Sequence, residues 1–142
     1  MPYWRLFYHL VWATKERAPL ITPKIEAPLF RIIINRSDRL HAPILAVNGM
    51  PDHVHVVASV PPTIALSEYV QQLKGASSRF IGAELGEQFA WQKGYSIFSL
   101  SERSLSQAVA YVERQKERHR NGHRAAGKSL LSRDILSRGR SE

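Results

Sequence analysis

The sequence predicts an α+β fold in which helices pack against an antiparallel β-sheet. Short, strongly apolar runs alternate with longer segments whose apolar residues recur at three- and four-residue steps, and a dense group of turn residues separates two of the runs. The resulting order of elements is strand, helix, strand, strand, helix, strand, helix. This is the order of a ferredoxin-like (split βαβ) sheet with an added C-terminal helix, which carries Tyr111.

The first half of the chain contains three of the predicted strands. Residues 3–14 are apolar and aromatic, which is typical of a strand near the middle of a sheet. A helix is predicted over residues 22–39, with a proline in its first turn, where the missing N–H does no harm. Strands follow over residues 44–47 and 53–60, and the turn residues at 48–52 predict an antiparallel hairpin between them.

The second half contains two helices and the fourth strand. One helix is predicted from about residue 65 to residue 81, with Gly82 and Gly86 loosening the chain after it. The fourth strand is predicted over residues 95–100. A last helix is predicted over residues 104–119.

Composition argues against several classes of protein. With 142 residues, of which 44% are hydrophobic, the chain has the length of one domain and can bury a core, which argues against intrinsic disorder. The lack of cysteine excludes disulfides, thiolate zinc sites and cysteine nucleophiles. No apolar run approaches the roughly 20 residues that cross a bilayer, so we expect a cytoplasmic protein with no membrane partner.

Positive charge is concentrated toward the C-terminal end. The chain carries 20 Lys+Arg against 12 Asp+Glu, a formal net charge of +8, and residues 114–142 hold nine of these cations against three of the acids. Such a segment favours polyanions, because neutralising phosphates releases counterions. We assign residues 1–121 to the folded domain and residues 122–142 to a basic tail, which either binds nucleic acid or only aids solubility.

Two histidines lie on one face of the third predicted strand. Because successive side chains of a strand alternate in direction, His53, His55 and Ser59 share one face, while Val54, Val56, Ala58 and Val60 face the helices. Residues i and i+2 lie about 6.6 Å apart at Cα, so both imidazoles can reach one cation. The pair is a candidate metal site. The alternative is two ordinary polar residues on a solvated face.

The last predicted helix presents Tyr111 beside its apolar stripe. At about 100° per residue, Tyr111 falls roughly 110° from the centre of the stripe, so the core does not require it. Gln115 follows one turn later on the same side. If this helix lies against the histidine face, His53, His55 and Gln115 can hold a divalent cation, and Tyr111 can attack a phosphodiester. The alternative is a half-exposed tyrosine with a polar neighbour.

These motifs resemble a known family. His53-Val54-His55 is similar to the histidine, bulky hydrophobic, histidine signature of HUH endonucleases, and Tyr111 followed by Gln115 is similar to the pattern of their one-tyrosine transposases. The segments YHLVWATKER, NGMPDHVHVV, LKGASSRFI and WQKGYSIFSLS, in this order, resemble those of the IS200-like (IS200/IS605) transposases and their REP-associated relatives. The likeness covers about residues 8–118.

The resemblance implies an enzyme that cuts and rejoins single-stranded DNA at element ends marked by hairpins. It implies that Tyr111 forms a 5′-phosphotyrosine link and leaves a free 3′-OH, while His53, His55 and Gln115 hold Mg²⁺ or Mn²⁺. It further implies a homodimer, with residues 1–121 as the catalytic domain. The cations that we expect to contact DNA phosphates, each of which can instead be ordinary surface charge, are Lys74, Arg79 and Lys93.

A non-catalytic, ferredoxin-like RNA-binding domain is the alternative function. Such domains stack bases on the aromatic residues of a sheet, and residues 93–98 (KGYSIF) partly match their consensus. The match is incomplete, because Ser96 and Ile97 stand where that consensus has Gly or Ala and then an aromatic residue. This alternative also gives the two histidines and the helical tyrosine no role. A transposase-derived host protein that uses the same chemistry elsewhere is a further alternative.

Overall fold

A computed structural model describes residues 4–116, which contain one four-stranded sheet. The strands and α-helices, in chain order, are β1 (Phe7–Ala13), α1 (Pro23–Arg39), β2 (Ile44–Met50), β3 (His53–Ser59), α2 (Leu66–Leu85), β4 (Ser96–Leu100) and α3 (Glu102–Glu113), and a short 3₁₀ helix, Lys15–Arg17, lies between β1 and α1. The strands lie in the order β2-β3-β1-β4, and each neighbouring pair is antiparallel. This is the order of a ferredoxin-like sheet, so the predicted fold class is confirmed.

One face of the sheet forms the main core with α1 and α2. Leu10 and Trp12 of β1 and Val54 and Val56 of β3 point to this face, as the alternation of side chains along a strand requires. The helix residues that are essentially inaccessible beside them are Leu29, Ile33, Tyr69, Val70, Leu73 and Ile81. Burial of one such apolar side chain contributes about 1.5–3 kcal/mol, so this face anchors the domain.

The opposite face of the sheet is covered by α3. The buried residues of this second cluster are Ala46, Val57, Tyr111 and Val112. α3 contacts all four strands, and it begins where the Ser101 hydroxyl accepts a hydrogen bond from the backbone N–H of Ser104. The tyrosine helix therefore lies on the face that carries His53 and His55, which is the arrangement that the metal hypothesis requires.

The β2–β3 hairpin is tighter than predicted. Residues 48–50, predicted as turn, continue β2 and pair with residues 53–55, so only Pro51 and Asp52 connect the two strands. A Cβ on Gly49 would lie 3.1 Å from the His53 carbonyl oxygen and 3.4 Å from the Phe30 ring. The lack of a side chain at Gly49 thus allows close packing within the strand, and it does not mark a turn.

α2 is longer than predicted. It continues through Gly82 to Leu85 and ends at Gly86, whose φ of 63° is the left-handed conformation typical of a helix C-terminus. Gly82 was therefore wrongly interpreted as the end of the helix. α3 begins two residues earlier than expected. The predicted end of that helix beyond residue 116 and the basic tail, residues 122–142, lie outside the described residues.

Membrane insertion has no support in the helices of the described segment. None of the helices within residues 4–116 combines the length and the apolar character needed to span a membrane.

Candidate active site

A cavity of about 390 Å³ opens between the sheet, the end of α3 and the loop before β4. We call it the histidine cavity, and its polar lining residues include His9, Arg17, His53, His55, Lys93 and Tyr111. These residues come from distant parts of the sequence. The fold therefore brings together the predicted histidines and the predicted tyrosine, and it adds His9 and Arg17.

The two predicted histidines lie side by side in the wall of the cavity. The His53 and His55 ring centroids are 5.0 Å apart, with the rings nearly perpendicular. His55 is only 4% exposed, whereas His53 is half-buried. Burial, reinforced by the charges of His9 and His53, holds the pKa of His55 well below its ordinary value. His55 is therefore neutral at neutral pH, as a metal ligand must be.

His53 is oriented by Asp52. The Asp52 carboxylate lies 2.7 Å from His53 Nδ1 and accepts a second bond, of 3.1 Å, from Arg17 Nε. Partial burial raises the pKa of Asp52, but the hydrogen bonds and charges of His53 and Arg17 outweigh this effect and lower the pKa below its ordinary value. With Nδ1 bonded to a carboxylate, Nε2 is the nitrogen that His53 can offer to a cation.

His9 is a functional candidate that the sequence analysis missed. It lies on β1, is 3% exposed, and places its Nε2 atom 3.0 Å from His55 Nδ1. The two rings stack with centroids 5.2 Å apart. Burial lowers the pKa of His9 to about 4, so its ring is neutral at physiological pH.

Tyr111 lies beside both buried imidazoles. Its ring centroid is 5.9 Å from that of His55 and 6.0 Å from that of His9, and both ring pairs meet edge to face. The prediction that the core does not require this tyrosine is wrong, because it is 6% exposed and belongs to the second core cluster. α3 contacts all four strands of the sheet. Residues at the flank of its apolar stripe, as well as those at the centre of the stripe, are therefore buried against the sheet.

Gln115 does not line the histidine cavity. Its amide nitrogen donates a hydrogen bond of 3.2 Å to the backbone carbonyl of Tyr111, just beyond the last residue of α3. The structure therefore brings two of the three predicted metal ligands together. Among residues 4–116 there is no cluster of three His, Cys, Asp or Glu side chains suited to a metal ion. Two imidazoles that line one cavity fit a divalent cation that completes its coordination with water or phosphate oxygens.

The three predicted phosphate contacts occupy different positions. Lys93 lines the histidine cavity. Lys74 instead donates hydrogen bonds of 2.8 Å to the carbonyl oxygens of Gln92 and Gly94, and burial lowers its pKa. Arg79 lies along α2, over Gly75, and does not line the cavity. Lys74 thus holds the loop that carries Lys93.

Comparison with known proteins assigns the family. The sequence model of the family described as "Transposase IS200 like" matches residues 2–115. The chain belongs to the IS200-like transposase family. The family predicted from the motifs is thereby confirmed.

Two transposases illustrate the relationship. The chain is 30% identical over 122 residues to the ISDra2 transposase TnpA of Deinococcus radiodurans, which covers 81% of this chain and 87% of that protein. It is 23% identical over 126 residues to the transposase for insertion sequence element IS200 of Salmonella typhimurium, which covers 84% of this chain and 82% of the relative. The likeness spans most of each protein.

Solved structures show the same fold. A crystal structure of a candidate transposase from Deinococcus radiodurans R1 superposes with a TM-score of 0.64 at 29% identity, covering 80% of this chain and 93% of the other. A REP-associated tyrosine transposase bound to a REP hairpin superposes with a TM-score of 0.63, covering 84% of this chain and 72% of the other. At 17% identity the latter shows the fold alone.

His9 and Arg17 were missed for different reasons. His9 occurs in a strongly apolar run, and only its period-2 spacing from Phe7 and Val11 would have placed it on the face opposite Leu10. Arg17 lies in the polar segment after β1, which has no periodicity to place its side chain.

Proposed function

We propose that this transposase cuts and rejoins single-stranded DNA through a 5′-phosphotyrosine intermediate. The observation that carries the proposal is the position of Tyr111, whose ring lies 5.9 Å from the His55 ring in a cavity that His53 also lines. A phenol and two imidazoles in one cavity suit nucleophilic attack on a phosphate held by a cation.

The proposed cleavage is a transesterification. The Tyr111 hydroxyl oxygen attacks the scissile phosphorus and loses its proton, while the bond from phosphorus to the 3′ oxygen breaks and that oxygen gains a proton. The products are a 5′-phosphotyrosine on one DNA fragment and a free 3′-OH on the other. Because the covalent link conserves the phosphodiester, attack by a 3′-OH rejoins DNA and returns the tyrosine without a nucleotide cofactor.

His53 and His55 would hold Mg²⁺ or Mn²⁺ through their Nε2 atoms. A bound divalent cation stabilises the negative charge that develops on the phosphoryl oxygens. Gln115 remains the proposed third ligand, and its amide must leave the Tyr111 carbonyl to fill that role. Since Mg²⁺ prefers oxygen ligands, two imidazoles and one amide should hold it weakly without DNA phosphate, and Mn²⁺ more firmly.

The proposed partner is single-stranded DNA with a hairpin end. Lys93 and Arg17 place positive charge at the rim of the histidine cavity, which favours a phosphate backbone there. The REP-associated transposase that shares the fold was solved with a REP hairpin. A homodimer, DNA contacts of Lys74 and Arg79, and a cytoplasmic location remain predictions that rest on the sequence.

The alternative of an RNA-binding domain has no comparable support. In such a domain the sheet face opposite the helices stacks bases. Here α3 covers that face, and its Tyr111 and Val112 are buried against β2 and β3.

Replacing Tyr111 with phenylalanine tests the proposed function. The substrate is single-stranded DNA from the flanks of the chain's own gene, labelled at its 3′ or its 5′ end, with Mn²⁺ present. The wild type should form a protein–DNA adduct, resistant to SDS, that carries only the 3′ label. Tyr111→Phe should form none and should still bind the DNA, because the buried ring is retained.

Tyr95→Phe is the matched control. Tyr95 also lines the histidine cavity but is 41% exposed, so its variant should retain the adduct. An undiminished adduct in Tyr111→Phe contradicts the proposal, and its loss in Tyr95→Phe alone would identify a different nucleophile.

A further inference from the structure

A buried pair of imidazoles forms part of the wall of the histidine cavity. His9 is 3% exposed and His55 is 4% exposed, and a bond of 3.0 Å joins His9 Nε2 to His55 Nδ1. We propose that His9 is a positioning residue that accepts this hydrogen bond and thereby directs His55 Nε2, with its lone pair, into the cavity. This inference rests on the proposed function, in which His55 holds a divalent cation.

The bond can exist in two forms. A neutral imidazole has one N–H donor and one acceptor nitrogen, so either His55 donates from Nδ1 or His9 donates from Nε2. If His9 donates, the hydrogen of His55 lies on Nε2 and no lone pair faces the cavity. If His55 donates, Nε2 is free to bind a cation. Only the second form is compatible with a metal-binding His55.

Cross-strand pairing sets this contact. Val11 of β1 is opposite His55, and His9 is opposite Val57, so the two imidazoles are diagonal neighbours on one face of the β1–β3 pair. The rings stack with an interplanar angle of 23°. His9 lines the same cavity as His55, but its Nε2 atom is engaged by His55 Nδ1, so we assign its effect on a bound cation to that contact.

His53 has a corresponding partner. Its Nδ1 atom lies 2.7 Å from the Asp52 carboxylate, so both predicted ligands are bonded at Nδ1 to a second protein group. Partners of this kind fix the tautomer and orientation of metal-binding histidines, and their loss typically lowers metal affinity by about 10- to 100-fold. An imidazole acceptor behind one ligand and a carboxylate behind the other serve the same purpose.

A purely structural role for His9 predicts different behaviour. If the ring only fills space beside Phe98 and Tyr111, phenylalanine should replace it better than any polar residue. If it serves as an acceptor, glutamine should replace it better, since its Oε1 can accept from His55 Nδ1. The two roles are thus separated by two substitutions at one position.

The first experiment measures Mn²⁺ affinity of the full chain without DNA, from the paramagnetic broadening of its histidine ring signals. His9→Phe should weaken Mn²⁺ binding by about 10- to 100-fold, and His9→Gln should recover most of the loss. Phe98→Leu, which alters packing beside the same ring, is the control and should leave the affinity within about threefold of wild type. Wild-type affinity in a folded His9→Phe protein overturns the inference.

The second experiment needs no variant and no metal. Nitrogen-15 NMR of the metal-free wild type should show His55 protonated at Nδ1 and His9 unprotonated at Nε2. The reverse pattern overturns the inference even if His9→Phe does not fold. Failure of the proposed function is distinct, because it would appear as Mn²⁺ binding that is unaffected by His53→Ala, whatever the tautomers of the buried pair.

Discussion

The three imidazoles of the histidine cavity differ in how deeply they are buried. His53 is half-buried beside the Asp52 carboxylate, whereas His9 and His55 are almost inaccessible and bonded to each other. A buried ring resists protonation, because the charged form loses its hydration. The inner pair is therefore neutral over a wide pH range, which suits one ring as a ligand and the other as its support.

The pKa of His9 predicts a loss of stability in acid. Burial lowers this pKa from 6.5 to about 4, so between these values the unfolded chain binds more protons than the folded protein. The contribution of neutral His9 to the free energy of unfolding is fully present above pH 6.5. It is lost as the pH falls toward 4, and the total loss is about 3 kcal/mol. Urea unfolding in EDTA at pH 7.5, 6 and 5 measures it. A folded His9→Phe protein should lose part of the pH dependence; an identical pH dependence would show that His9 does not cause it.

At the scale of elements, β2 holds the end of the tyrosine helix. Asn48 Nδ2 donates hydrogen bonds of 3.0 and 3.2 Å to the carbonyl oxygens of Val112 and Glu113, and Lys116 donates one of 3.0 Å to Asn48 Oδ1. Lys116 also pairs with Glu26 of α1. These bonds satisfy carbonyl groups that a helix end leaves unpaired. They connect the position of Tyr111 to the β2–β3 hairpin, which carries His53 and His55.

Asn48→Ala should loosen the end of α3. We expect a cost of about 1–3 kcal/mol in the free energy of unfolding, because two carbonyl groups lose their donor. Hydrogen exchange should accelerate in the last turn of α3 more than in α1, and formation of the Tyr111 adduct should slow. Asn35→Ala, an exposed asparagine on α1, is the matched control. Equal exchange in α3 of the two variants would contradict the role assigned to Asn48.

Several element boundaries followed from the sequence, and others did not. Helix α1 was predicted within one residue, because its proline and apolar period mark it locally. The turn residues at 48–50 were misleading, since their pairing with β3 depends on backbone contacts between strands. Gly82 was likewise misleading, because an exposed glycine inside a long helix is tolerated when other residues of that helix are packed.

At the scale of the whole molecule, charge is divided between the folded domain and the C-terminal end. Residues 122–142 hold five of the 20 Lys+Arg and two of the 12 Asp+Glu. We expect removal of this tail to weaken binding of single-stranded DNA and to reduce its salt dependence. Each lost phosphate contact lowers the slope of log K against log salt by about 0.7.

Binding of the full chain and of the chain ending at residue 121, measured from 50 to 300 mM salt, tests this expectation. Five lost contacts set an upper limit of about 3.5 on the change in slope. Adduct formation at saturating DNA should be unchanged, because the residues to which we assign cleavage, His53, His55 and Tyr111, all precede residue 122. Equal slopes would indicate a tail that only aids solubility.

The order of elements, the face that carries His53 and His55, and the family follow from the sequence, because periodicity and short motifs are local properties of a chain. The His9–His55 bond, the burial of Tyr111 and the placement of the Gln115 amide on the Tyr111 carbonyl required the tertiary structure. Periodicity assigns a side chain to one face of its own strand or helix. The pairing of β1 with β3 and the docking of α3 depend on contacts between segments far apart in sequence, and those contacts determine which groups meet in the cavity.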